Sequence, residues 1–125
     1  MRLVCDTVAL GIASVATVHS YAFLAGWVGI LGGFLTFSST AANILFSQLQ
    51  VQAAQALPGL NISTVLAAQG AGGTVGTVIA PANIVIGTGA VGIVGQEGVI
   101  LRYALQWTIG TGIIIGFATM ILNFF

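Results

Sequence analysis

Residues Asn61 to Gly87 read NISTVLAAQGAGGTVGTVIAPANIVIG. Asn61 has a side chain suited to capping a helix N-terminus, and an apolar run follows it as far as Ala68. Asn61-Ile62-Ser63 also fits the glycosylation pattern, but capping needs no further assumption. Gly70, Gly72, Gly73 and Gly76 then form the poorest helix-forming stretch of the chain. Pro81 suits the first turn of a new helix, where its missing N–H is not needed. The stretch predicts one interrupted helix: Ile62 to Gln69, an unwound segment over Gly70 to Gly76, and Pro81 to Val94.

The surroundings make that interruption informative. The chain has 125 residues, 58% hydrophobic and 3% charged, with a mean hydropathy of +1.12. A soluble domain carries about a quarter charged residues, so this is a membrane chain. A spanning helix takes roughly 20 apolar residues, which leaves room for about four or five full or partial crossings in a single membrane domain over residues 1–125. Unwound backbone at membrane depth is tolerated only where it is buried in protein or lines an aqueous cavity. The formal net charge is zero, and no basic patch exists for nucleic acid. Cys5 is alone, so it offers neither an internal disulfide nor a metal site. Arg2 followed by an apolar run resembles a secretory leader, yet Asp6, the absence of an Ala-x-Ala site and apolar sequence to Leu35 favour a spanning helix.

Segment one, Thr7 to Gly32, places His19 near its middle and is followed by Gly33, which pairs with Gly29 at packing spacing. The hydroxyl cluster Ser38, Ser39 and Thr40 then interrupts the apolar sequence, with Asn43 close behind. Segment two, Ala41 to Leu57, has helical period but carries four glutamines. Asn43, Ser47 and Gln50 share one face, and such a helix must face protein, a cavity or the interface rather than lipid. Leu57-Pro58-Gly59 ends it. Segment four, Val99 to Leu122, reads as the clearest spanning helix, with Tyr103 and Trp107 near its start, Phe124 and Phe125 after its end, and Gly112 and Gly116 as a packing pair. Arg102, near its start, is expected to rest at the membrane interface or on Glu97.

Two interruptions, each followed by a helix N-terminus, are the logic of a secondary transporter. Free N–H groups and partial positive charge hold an anion without any arginine. Hydroxyls and freed carbonyls at the same places suit a cation or proton. Each break also has a purely structural reading: an N-cap at Ser38 to Thr40 and close helix packing at the glycines. His19 is the chain's one histidine and is the candidate for proton coupling. No nucleophile elbow, Cys/His spacing or carboxylate pair is present, so enzyme chemistry has no residues to work with.

Three blocks, GGFLTFSSTAANILFSQLQ (residues 32–50), LAAQGAGGTVGTVIAPANIVIG (66–87) and VGIVGQEGVILR (91–102), resemble the C-terminal part of the L-lactate permease family. The resemblance runs from about Trp27 to Arg102. It implies an all-α fold of polytopic transmembrane helices with a re-entrant, hairpin-like break and one interrupted helix, in a multi-pass protein of the cell membrane. It implies symport of lactate or a similar small 2-hydroxy monocarboxylate, with H+ as coupling ion and Na+ as the alternative, and no cofactor. Substrate-binding positions under it are Ser38, Ser39, Thr40 and Asn43 at the hairpin tip, and Gly72, Gly73, Thr74, Gly76 and Asn83 at the second break. Where such permeases commonly carry Asn or Asp at the tip with glycine before it, this chain has Ser39 and Phe37, and it has Thr77 where lysine or asparagine is frequent. Family members are several times longer, so the chain is expected to be a C-terminal fragment that works with the missing N-terminal half or a partner chain. The competing expectations are a non-transporting structural or assembly subunit and an inactive gene fragment.

Overall fold

In the computed structural model, residues 2–15 and 17–125 are described; the side chain of Cys5 lies outside the described set. Among the described residues six helices follow in order: α1 (Arg2–Val15), α2 (Val18–Thr36), α3 (Ser39–Ala56), α4 (Ile62–Val78), α5 (Pro81–Val91) and α6 (Glu97–Leu122). The all-α expectation holds. By length and composition α2 and α6 are able to cross a membrane, and the bent pair α4–α5 makes a third if it counts as one span.

The single long segment expected from Thr7 to Gly32 is two helices. Thr17 is extended and caps α2, accepting from the Ser20 N–H at 3.4 Å, and its hydroxyl shares a 2.9 Å hydrogen bond with the Ser20 hydroxyl. A side chain that offers the backbone this alternative partner stops one helix and starts the next. His19 is therefore the second residue of α2 rather than mid-segment, exposed and stacked on Phe124 at 4.8 Å.

The larger correction concerns the glycines. α4 runs unbroken from Ile62 through Gly70, Gly72, Gly73 and Gly76 to Val78, and the interruption lies at Ile79 and Ala80, where the α4–α5 pair bends by 50°. Low helix propensity loses to tertiary packing here. A methyl group at Gly72 would overlap the Gly26 carbonyl, and one at Gly76 the Ile30 carbonyl. From the other side, methyls at Gly29 and Gly33 would overlap the carbonyls of Gln69 and Gly73. The two backbones lie against each other, the close approach that small residues permit in lipid. α4 is thus the most extensive partner of α2.

The other packing positions of α2 follow the same rule with side chains. Gly32 faces Phe46 and Ala42 of α3, while Gly112 and Gly116 of α6 receive Trp27 and Phe23. α2 and α6 are therefore antiparallel, and the turn after α2 lies toward the start of α6. At the opposite end Asn123 accepts from the Asn61 N–H at 2.7 Å and donates to the Gly59 carbonyl at 3.2 Å. Asn61 caps α4 as expected, accepting from Ser63 N–H at 2.9 Å, and Pro81 opens α5. The Glu97 carboxylate accepts from Thr88 and from the Gly95 N–H, each at 3.0 Å, closing the α5–α6 loop rather than pairing with Arg102.

Candidate functional site

The hairpin tip is built from two residues. Phe37 ends α2 in the left-handed region at φ 58°, and Ser38 is extended and caps α3. The Ser38 hydroxyl accepts from the Ala41 N–H at 3.4 Å. Thr36 Oγ1 donates to the carbonyls of Gly32 and Ser38, each at 2.8 Å, and so ties the last turn of α2 to the cap of the next helix. Of the three hydroxyls read together in sequence, Ser38 is the cap, and Ser39 and Thr40 begin α3, Thr40 exposed. The first turn of α3 leaves N–H groups without intrahelical partners at this tip.

The second interruption is brought to the first by Asn83. Its Nδ2 donates to the Phe37 carbonyl at 3.2 Å and to the Thr77 carbonyl at 2.9 Å. One amide on the first turn of α5 therefore holds the end of α2 and the end of α4. α5 has no side-chain cap of its own, since Ala80 occupies the N-cap position. The N-terminus of α5 is thus open beside that of α3.

Asn43 lies one turn deeper, against α4. A methyl at Gly73 would sit 3.5 Å from Asn43 Oδ1, and one at Gly70 would sit 4.0 Å from its Nδ2. Gly72 and Gly76, expected at an unwound site, instead face α2 backbone inside α4. Thr74 is exposed, its hydroxyl returned to the Gly70 carbonyl at 3.1 Å. The structure thus brings Ser38, Ser39, Thr40 and Asn83 to one end of the α2–α3–α4 bundle, with Asn43 and Gly73 just inside it. His19 lies at the other end.

A further polar group was visible in the sequence only as an excess of glutamine. Tyr21 Oη donates to Gln50 Oε1 at 2.7 Å, and Gln50 Nε2 donates to the Ala25 carbonyl at 3.1 Å and to Gln69 Oε1 at 2.9 Å. Gln50 and Gln69 are both 0% exposed. This satisfies the requirement that the amide-rich helix face protein, and it joins α2, α3 and α4 at their centre.

Comparison with known proteins shows the family to which the sequence belongs. The sequence model of the L-lactate permease family matches residues 4–125. The chain is 38% identical over 114 residues to an L-lactate permease of Escherichia coli strain K12, covering 91% of this chain and 20% of that protein. It is 35% identical over 117 residues to an L-lactate permease of Halalkalibacterium halodurans, covering 94% of this chain and 22% of the relative. It is also 35% identical over 117 residues to a glycolate permease of Escherichia coli strain K12, covering 92% and 20%. The chain thus spans about a fifth of the length of these relatives. No solved structure matches it.

Proposed function

The chain belongs to the L-lactate permease family, and on that premise we propose that it is part of a secondary active symporter for lactate or a similar small 2-hydroxy monocarboxylate, multi-pass in the cell membrane. The carrying observation is the Asn83 tie, which sets the starts of α3 and α5 side by side. Two open helix N-termini at one place supply N–H donors and partial positive charge to a carboxylate. In this reading Ser38, Ser39 and Thr40 offer hydroxyls around the anion, Asn43 lies beneath them, and Asn83 keeps the two tips in register. The 50° bend between α4 and α5 is the helix interruption that turns the second tip, of the kind at which carriers build their site. The remaining walls come from the rest of the carrier, and protons are the coupling ion.

The test is uptake of labelled L-lactate by vesicles containing the full-length carrier. Uptake should saturate, be competed by glycolate, and fall when external pH is raised. It should be lost in Asn83→Leu and strongly reduced in Thr40→Val. Uptake that is unchanged in both variants overturns the site, and uptake that follows sodium but ignores pH overturns proton coupling.

A further inference from the structure

The Tyr21–Gln50–Gln69 relay has a fixed polarity. Gln50 must present Nε2 to the Ala25 carbonyl, because its oxygen there would face another acceptor. Its Oε1 then takes the Tyr21 hydroxyl, and its Nε2 also needs an acceptor on Gln69. Gln69 is therefore locked with Oε1 on Gln50 and Nε2 turned away from it. That Nε2 has no partner among the described residues although Gln69 is 0% exposed. Rotating the amide would only set Gln69 Nε2 against Gln50 Nε2, donor against donor.

A second unpartnered atom lies on the same two helices. Asn43 Oδ1 is buried and lacks a donor among the described residues, and it lies beside Gly70 and Gly73, where the glycines leave room for a methyl group. Asn43, Ser47 and Gln50 recur at i, i+4 and i+7, on one face of α3. Gln69, Gly70 and Gly73 recur at i, i+1 and i+4 on α4. One end of this seam lacks an acceptor and the other lacks a donor. A buried donor left unpaired is costly, and natural proteins avoid that cost by placing water there.

We propose that the α3–α4 seam is a water-binding site: water accepts from Gln69 Nε2 at the inner end and donates to Asn43 Oδ1 at the outer end, with the Ser47 hydroxyl between them. Seven residues of α3 rise about 10 Å, which suits a short file of molecules rather than one. The file begins one turn below the hairpin tip and ends on the relay that joins α2, α3 and α4. It hydrates the interior of the bundle from the side on which the two helix breaks meet. The inference depends on the fold alone and stands whichever solute the carrier moves.

Radiolytic hydroxyl labelling of the full-length protein in lipid discs, read by mass spectrometry, tests it. Water activated within the seam should oxidise Tyr21 although that residue is only 2% exposed, while Val65, 0% exposed on the same bundle, stays unmodified. Gln69→Leu should abolish Tyr21 oxidation and leave exposed Tyr103 oxidised as before. Independently, Ser47→Cys should react with a small water-soluble thiol reagent. Tyr21 unmodified in the wild type, Tyr21 oxidation indifferent to Gln69→Leu, or an unreactive Ser47→Cys would each overturn the proposal.

Discussion

The two faces of α4 are built on opposite principles. Toward α2, Gly72 and Gly76 bring backbone against the Gly26 and Ile30 carbonyls, with no side chain between. Toward α3, Gly70 and Gly73 face Asn43 without overlap, a methyl at either meeting it at no less than 3.5 Å, and the contact is carried by the Gln50–Gln69 amide pair. Adjacent glycines, Gly72 and Gly73, thus do different things. In lipid there is little hydrophobic gain from packing two apolar helices, so association rests on close backbone approach or on polar pairs. This helix uses one means on each side. The tight face fixes α4 to α2, and the looser, polar face leaves a seam leading from the breaks.

The difference is open to direct attack. Gly72→Val or Gly76→Val drives a branched side chain into a neighbouring carbonyl, where only backbone movement gives relief. Thermal unfolding of the full-length protein in detergent should show the largest loss in the set, about 3 kcal/mol or failure to fold. A variant that unfolds like the wild type would mean that α2 and α4 are not in backbone contact. Gln50→Leu attacks the other face. It strands the Tyr21 hydroxyl and the Gln69 amide in the core, for an expected cost of about 1–3 kcal/mol. Gln50→Leu with Tyr21→Phe should recover part of that loss by removing one stranded donor; no recovery would mean that the relay is not the unit that joins α2 to α3.

Those two faces also explain which parts of the fold were legible. The caps at Asn61 and Ser38 and the Pro81 start follow from local chemistry, and each falls where the residue type demands. Four glutamines in apolar sequence forced α3 against protein, and Gln50 is indeed buried. The glycine run was misleading because its local propensity opposes helix, while its partner glycines on α2 lie some 40 residues away in sequence. Gly29 and Gly33 were visible as a spaced pair, but only the fold shows that Gln69 and Gly73 complete the contact. The split at Thr17 was missed for the reverse reason. A hydroxyl in an apolar run has little signal until its bond to Ser20 is seen. Asn83, which joins the two tips, was legible only through the family resemblance, as a position at the second break, and its reach to Phe37 was not legible at all.

The smallest effect is the sharpest discriminator, because it applies one substitution to both faces. Gly70→Ala adds a methyl whose nearest neighbour, Asn43 Nδ2, would be 4.0 Å away. Nothing has to move, and alanine favours helix over glycine by up to about 1 kcal/mol, so stability should be unchanged or slightly raised. Gly72→Ala adds the same methyl with the same gain in propensity, but into the Gly26 carbonyl, and should be destabilising. The two variants differ in which face of α4 receives the methyl, so the difference in their unfolding temperatures isolates packing from propensity. Equal temperatures would show that the two faces are alike. A Gly70→Ala protein less stable than Gly72→Ala would show that the closer contact lies on α3.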